Sequence, residues 1–265
     1  MYAIEYHKPK SVADAVSMLA KSGGKALAGG QSLVAAMKLR LAQPGTVVDL
    51  SGIAELAGIK KDGNAVVIGA MARHAQVAAS DVVKNAIPSL AALAEGIGDR
   101  QVRNMGTLGG ALANNDPAAD WPAAVLALDA TVHTNKRKIT ASDFFKGMYE
   151  TALGTDEIIV AVSSPVPKKA AYVKFPNPAS RFALVGVFVA QGADGAVRVA
   201  VTGAKPSVFR AAPLEAALAK SFTADAAKGV RVDASGLNND LHGSPEYRAH
   251  LISVMAGRAV AAACA

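Results

Sequence analysis

The sequence contains one cysteine, Cys264, and few aromatic residues, which account for 5% of its 265 positions. A single cysteine excludes an internal disulfide. It also excludes an iron–sulfur cluster bound by this chain alone, because such clusters need several thiolates. The five histidines are not spaced like metal ligands, so we interpret them as surface or core residues. The scarcity of aromatic residues argues against a surface on which bases stack.

Long apolar runs are also missing. The longest, residues 182–190, is too short to cross a bilayer, and the N-terminal MYAIEYHKPK has no apolar signal core. We therefore expect a cytoplasmic protein without a transmembrane segment, with a peripheral position at the inner face of the membrane left open.

The charge of the chain is positive, with a formal net charge of +7 and a pI near 9.5. Nucleic acid, an anionic cofactor and an acidic protein are therefore the partners to consider. The basic residues form only short clusters, such as Lys60-Lys61 and Lys168-Lys169, without interleaved aromatic residues. This pattern is typical of solvated turns and disfavours nucleic-acid binding.

Two segments follow the order strand, glycine loop, helix. In the first, residues 25–27 form a brief apolar strand, Gly29-Gly30 follow, and Ser32 is placed to cap a helix over 33–41. A glycine loop that leads into a helix offers free backbone N–H groups and the positive end of a helix dipole, which suit a phosphate. Taken alone, one such loop is equally well explained by a tight turn or by close packing.

The second segment covers residues 103–122 and reads RNMGTLGGALANNDPAADWP. Gly106, Gly109 and Gly110 interrupt a β-compatible run, which predicts a strand and then a glycine loop, and the composition of 118–128 predicts a short helix. Two such loops in one chain suit a ligand with two phosphates. Neither loop is a Rossmann G-x-G-x-x-G and no Walker motif occurs, so nicotinamide and ATP-hydrolysing sites are disfavoured.

The rest of the chain divides near Pro165 and Pro167, where we place the domain boundary. Before it, the patterns predict a hairpin over 58–68 and another around Asn135. After it, apolar and alternating segments are typical of an antiparallel meander of three or four strands. The strands of this meander are expected at 171–175, 183–191, 197–202 and 208–211. The remaining predicted helices are a helix that begins at Ser11, then 71–80, 82–96, about 143–148, 213–220, about 224–230, and 245–263.

These motifs carry a resemblance to a known family. The run Ala28-Gly29-Gly30-Gln31-Ser32-Leu33 matches an AGG-x-[ST]-L loop, and Thr107-Leu108-Gly109-Gly110 matches a T-[IL]-GG loop that precedes a DPAAD element, here residues 116–120. The chain resembles, over essentially its whole length, the FAD-binding medium subunit of the molybdenum hydroxylases. The resemblance is strongest to carbon monoxide dehydrogenase medium chains and to the flavin domain of xanthine dehydrogenases.

The resemblance implies an α+β fold, a vanillyl-alcohol-oxidase (PCMH) type FAD-binding domain. This domain would cover residues 1–165, with subdomains of about 1–55 and 56–165, and a small α+β domain would follow at 166–265. It also implies a noncovalent FAD between the subdomains. By matching position, the cofactor-binding residues would be Lys25, Ala28, Gly29, Gly30, Gln31, Ser32, Leu33, Ile97, Gly98, Thr107, Leu108, Gly109, Gly110, Ala111, Asp120 and Lys174.

Several of these residues have a simpler explanation. Asp120, which would bind a sugar hydroxyl, is also placed to cap its helix. Lys174, which would lie near the ring edge where reduced flavin gathers negative charge, is also explained as a solvated strand lysine. We expect Trp121 to lie in the core. The chain departs from many relatives at Asn115, where they have histidine, and in the segment 176–182, which includes Arg181-Phe182.

The resemblance implies a flavoprotein subunit without catalytic or metal-binding residues of its own. A large partner would carry the molybdenum cofactor and a small partner the 2Fe–2S clusters, in a dimer of heterotrimers. The FAD would collect electrons for a quinone, NAD or oxygen, and carbon monoxide is the first substrate to consider. The alternatives are a stand-alone FAD-dependent oxidoreductase of the same fold and a basic nucleic-acid or anion-binding module.

Overall fold

The computed structural model describes residues 1–265 as four sheets with helices packed on them, which confirms the α+β class. The helices are α1 Val12–Ser22, α2 Leu33–Lys38, α3 His74–Ala79, α4 Asp81–Ala86, α5 Pro88–Glu95, α6 Arg100–Met105, α7 Leu108–Asn114, α8 Trp121–Ala127, α9 Ala141–Phe144, α10 Ala212–Lys220, α11 Ala224–Lys228 and α12 Pro245–Cys264. The strands are β1 Glu5–His7, β2 Lys25–Leu27, β3 Thr46–Asp49, β4 Ile59–Asp62, β5 Ala65–Gly69, β6 Thr131–Thr134, β7 Lys138–Thr140, β8 Phe145–Gly147, β9 Glu150–Thr151, β10 Ile159–Pro165, β11 Lys169–Pro176, β12 Ala183–Gln191, β13 Val197–Thr202 and β14 Phe209–Arg210.

The N-terminal sheet is parallel, in the order β1-β3-β2. Helix α1 connects β1 to β2. It begins where the sequence predicts, because Ser11 Oγ accepts a hydrogen bond from Asp14 N at 3.1 Å. Gly23 ends this helix with a φ of 61°. Strand β2 then runs directly into residues 28–32, so the first glycine loop lies at the carboxyl end of this sheet.

The middle sheet is antiparallel, in the order β4-β5-β10-β6-β7. The predicted hairpin between β4 and β5 is confirmed, with Gly63 in the left-handed region at φ 55°. Helices α3 to α9 complete this part, and α7 packs on β5 and β10. Trp121 and Phe144, exposed by 1% and 0%, lie in the core, as predicted for Trp121.

The C-terminal sheet is the predicted antiparallel meander, in the order β11-β12-β13-β14. Its strand β12 has alternate side chains in two different hydrophobic cores. Phe188 and Ala190 face the core of the middle sheet, whereas Val187 and Val189 face a second core that α12 covers. The C-terminal sheet therefore packs against one hydrophobic core with each of its two faces. The division of the chain at residue 165 stays a prediction.

The strand predicted within 103–112 is wrong, because these residues form α6 and α7. Thr107 separates the two helices and caps the second, since its Oγ1 accepts a hydrogen bond from Gly110 N at 3.1 Å. Leu108 and Leu112 are four residues apart and both are buried, so they lie on one face of α7. The apolar residues whose spacing suggested a strand form the buried face of α7.

Several helix boundaries also differ from prediction. The helix expected over 82–96 is divided into α4 and α5, because Pro88 keeps Ile87 out of the helical region, at φ −139° and ψ 72°. The first predicted segment, 71–80, is helical only from His74. Near 143–148, α9 ends at Phe144 and strand β8 follows. No helix of the protein has the length and apolar character needed to span a membrane.

Candidate functional site

The first glycine loop, residues 28–32, has unused backbone donors. None of the backbone N–H groups from Ala28 to Ser32 donates a hydrogen bond within the chain. Ser32 occupies the N-cap position, but the predicted capping bond is absent because Ser32 is itself helical, at φ −108° and ψ −55°. Gly30 adopts a φ of 73°, which few other residues tolerate. This loop therefore presents a run of free amides, the donor set that an anionic diphosphate needs.

Three other residues were expected to bind the cofactor near this loop, and they lie before, within and after it. Lys25 lies at the start of β2, exposed and without an ion pair. Gln31 is exposed, and its Nε2 donates to Gly29 O at 3.4 Å. Leu33 is the first, half-buried residue of α2.

The second loop, residues 107–111, leaves only the Thr107 amide without a partner, so the expectation of a run of free amides is wrong for this half of the site. Thr107 is the N-cap of α7, residues 108–111 form its first turn, and the amides of these four residues are used inside the protein. Leu108 N donates to Ala72 O at 3.1 Å, Gly109 N to Ala70 O at 2.8 Å, Gly110 N to Thr107 Oγ1 at 3.1 Å, and Ala111 N to Thr107 O at 3.0 Å. The loop is thereby held rigidly against the segment 70–74.

The first loop contacts the second loop and the residues that precede it. A Cβ atom on Gly29 would overlap Met105 O and would lie 2.7 Å from Gly106 Cα. A Cβ on Gly110 would lie 3.2 Å from Ala28 Cβ. Glycine is therefore needed here for close approach of two backbones, and the rigid second loop supports the first from behind.

The turn at Ile97-Gly98 is positioned by arginine side chains. Arg103 Nη1 donates to Ile97 O at 3.0 Å and to Gly98 O at 3.1 Å, and Gly98 has a φ of 50°. Arg181, part of the segment that departs from relatives, donates to Gly98 O at 3.4 Å. The loop between β11 and β12 therefore contacts this turn across the molecule.

Asp120 and Lys174 form a buried pair. Lys174 Nζ lies 3.0 Å from Asp120 Oδ1, and the two side chains are 12% and 5% exposed. The explanation of Lys174 as a solvated lysine is therefore wrong. The explanation of Asp120 as a helix cap is wrong too, because its carboxylate makes no capping hydrogen bond.

Tyr172 completes this pair and was missed by the sequence reasoning. Its hydroxyl donates to Asp120 Oδ1 at 2.5 Å. Burial first, and then the nearby Asp120, raise the pKa of Tyr172 well above its usual value, so the hydroxyl keeps its proton. Burial likewise raises the pKa of Asp120, and Lys174 and Tyr172 oppose this shift. Tyr172 lies two residues before Lys174 on β11, and residues at this spacing share one face of a strand. This spacing is the sequence feature from which Tyr172 could have been predicted to lie near Asp120.

Asn115, the other departure from relatives, has a structural role. It ends α7 in the left-handed region at φ 44°, which asparagine tolerates better than most residues. Its buried side chain donates to Gly147 O at 2.8 Å and to Glu150 O at 2.9 Å. Asn115 therefore connects the β8–β9 hairpin to the C-terminal end of α7.

No group of acidic, histidine or cysteine side chains is arranged to hold a metal ion.

The chain is similar in sequence to known proteins. Residues 2–167 match the family described as FAD binding domain in molybdopterin dehydrogenase. The chain is 36% identical to the carbon monoxide dehydrogenase medium chain of Hydrogenophaga pseudoflava, over 98% of this chain and 97% of that protein. It is also 36% identical to the nicotine 6-hydroxylase medium subunit of Paenarthrobacter nicotinovorans, over 97% of this chain and 96% of that protein.

Solved structures show the same similarity. A carbon monoxide dehydrogenase from Hydrogenophaga pseudoflava, which lacks the Mo-pyranopterin moiety of its cofactor, matches with a TM-score of 0.88 and 36% identity, over 99% of this chain and 98% of that chain. Quinoline 2-oxidoreductase from Pseudomonas putida 86 matches with a TM-score of 0.89 and 29% identity, over 99% of this chain and 97% of that chain. The likeness in fold extends over nearly the whole chain.

Proposed function

The chain belongs to the family of FAD-binding domains in molybdopterin dehydrogenases, and we propose that it receives electrons from iron–sulfur clusters of a partner subunit and passes them to an external acceptor. It is a flavoprotein medium subunit of the molybdenum hydroxylases. The observation that carries the proposal is the first glycine loop, whose amides from Ala28 to Ser32 are free. FAD, when bound, supplies the electron-accepting ring, and the chain supplies binding and orientation.

The proposed binding site combines the predicted residues with their observed surroundings. The amides of residues 28–32 would donate to the pyrophosphate, with Lys25 and Leu33 at the two ends of this loop. Residues 107–111 would act by holding the first loop in place, since four of their amides are already used. The Ile97-Gly98 turn and the Asp120–Lys174 pair would contact the rest of the cofactor.

The proposed partners are a large molybdopterin subunit and a small iron–sulfur subunit in a dimer of heterotrimers, with a quinone, NAD or oxygen as acceptor. Relatives support the general arrangement, because their names describe medium chains and subunits. Carbon monoxide is the substrate we propose first. We propose that the partner, not this chain, selects the substrate; the equal 36% identity to carbon monoxide dehydrogenase and nicotine 6-hydroxylase chains supports this. A cytoplasmic location, peripheral at the inner membrane face, stays a prediction.

Titration of the purified full chain with FAD tests the proposal. We expect one FAD per chain, no turnover of carbon monoxide or nicotine by the chain alone, and flavin reduction by substrate once the chain is in its native complex. Turnover by the isolated chain would instead favour a stand-alone oxidoreductase. Failure to bind FAD, together with salt-sensitive binding to DNA or RNA, would favour a nucleic-acid-binding module.

A further inference from the structure

A buried hydrogen bond lies directly behind the second glycine loop. Trp121 Nε1 donates to His74 Nδ1 at 3.1 Å, and the two residues are 1% and 5% exposed. Because Nδ1 accepts this bond, the proton of the neutral ring is on Nε2. Burial, with a smaller effect of the Arg103 cation, lowers the pKa of His74 to about 4, so the ring is neutral at neutral pH. The bond therefore fixes both the tautomer and the orientation of His74.

The other side of the His74 ring faces Gly106. A Cβ on Gly106 would lie 2.7 Å from His74 Nε2 and 2.9 Å from His74 Cδ2, so no larger residue fits there without movement of the ring. His74 N also donates to Gly106 O at 2.9 Å. His74 thus holds Gly106 with its backbone and contacts it with its ring.

Gly106 in turn touches the first loop. A Cβ on Gly29 would lie 2.7 Å from Gly106 Cα, so the position of Gly106 limits how far the free amides of the first loop can move back. A continuous series of contacts therefore runs from Trp121 through His74 and Gly106 to Gly29. Trp121 follows Asp120 directly in the chain, so this series also connects the first loop to the Asp120–Lys174 pair.

We propose that Trp121 and His74 form a positioning pair that sets the place of the first glycine loop and thereby the affinity for FAD. The pair acts through Gly106 and does not contact the cofactor. This inference rests on the proposed FAD site.

Trp121→Phe tests the hydrogen bond, since phenylalanine keeps most of the apolar ring and removes the N–H donor. We expect the dissociation constant for FAD, measured by flavin fluorescence on the full chain, to rise about tenfold, the factor for one lost hydrogen bond of ordinary net strength. Phe144→Leu is the matched control, because Phe144 is equally buried in the same core and has no part in the series of contacts. It should lower the melting temperature and leave the FAD affinity unchanged.

Gly106→Ala tests the contact with the His74 ring without changing Trp121. The new methyl group meets the ring, so we expect weaker FAD binding. Trp121 is the only tryptophan and donates to this ring, so we also expect a shift in its emission. Unchanged FAD affinity together with unchanged emission would overturn the positioning role.

The outcomes separate the two proposals. If the wild-type chain binds no FAD, the proposed function and this inference both fail. If the wild-type chain binds FAD and Trp121→Phe binds it equally well, only the positioning role is overturned. Equal weakening by Trp121→Phe and Phe144→Leu would also overturn it, because the effect would then be a general loss of core stability.

Discussion

Replacement of Gly29 by alanine perturbs the contact on which the proposed FAD site depends. The new Cβ would lie 2.7 Å from Gly106 Cα and would overlap Met105 O. Gly29 is not in the left-handed region, so alanine brings steric conflict without backbone strain. Gly106 cannot yield easily, since its N–H donates to Val102 O and its carbonyl oxygen accepts from His74 N. The first loop must therefore move.

The size of this effect follows from the distances. Ordinary contact begins near 3.4 Å, so the contact with Gly106 Cα at 2.7 Å alone requires a displacement of about 0.7 Å, and the overlap with Met105 O requires more. Insertion of one extra carbon into a packed contact costs about 1 to 3 kcal/mol. If the loop shifts to relieve this strain, the free amides leave their binding geometry. The dissociation constant for FAD should then rise by about 10- to 100-fold.

The assay is a titration of the full chain with FAD, together with the melting temperature of the protein without FAD. Gly45→Ala is the matched control, because its Cβ meets nothing within 4 Å. We expect the control to bind FAD like the wild type. If Gly29→Ala folds and its dissociation constant for FAD lies within about twofold of that of Gly45→Ala, a difference smaller than about 0.4 kcal/mol, the contact between Gly29 and Gly106 does not position the site.

Three further predictions concern the surroundings of the site. Lys174→Met leaves the Asp120 carboxylate buried without its cation, so it should lower the free energy of unfolding by about 3 kcal/mol. The measurement is unfolding in urea, and an unchanged midpoint would contradict this prediction. Hydrogen bonds from Arg137 lower the pKa of Glu157 from 4.5 to about 2, so the stabilising effect of this ion pair is present above pH 4.5 and is lost as the pH falls toward 2. Glu157→Gln should therefore flatten the stability profile in that window, and a profile of unchanged slope would exclude this ion pair as its cause. Asn115→Ala removes both hydrogen bonds to the β8–β9 hairpin, so limited proteolysis should cut the hairpin faster than in the wild type; an unchanged rate of cutting would contradict this role of Asn115.

Local signals predicted much of the fold correctly. The bounds of β12 and β13 agree with the alternating apolar pattern, and the limits of α1 agree with a serine cap and a glycine stop. The spacing of Leu108 and Leu112 was misinterpreted as part of a strand, because a short apolar run fits both periods. A hydrogen-bonded cap at Thr107 and packing on β5 decide for the helix.

The sequence by itself determined the family, the positions of the two glycine motifs and the exclusion of an internal disulfide, since these depend on residue type and spacing. The tertiary structure alone decided which loop has free amides and which loop is a rigid support. It also decided that Asp120 pairs with Lys174 and that His74 accepts from Trp121. These partners are 54 and 47 positions apart, and no local period of the chain specifies a contact at such separations.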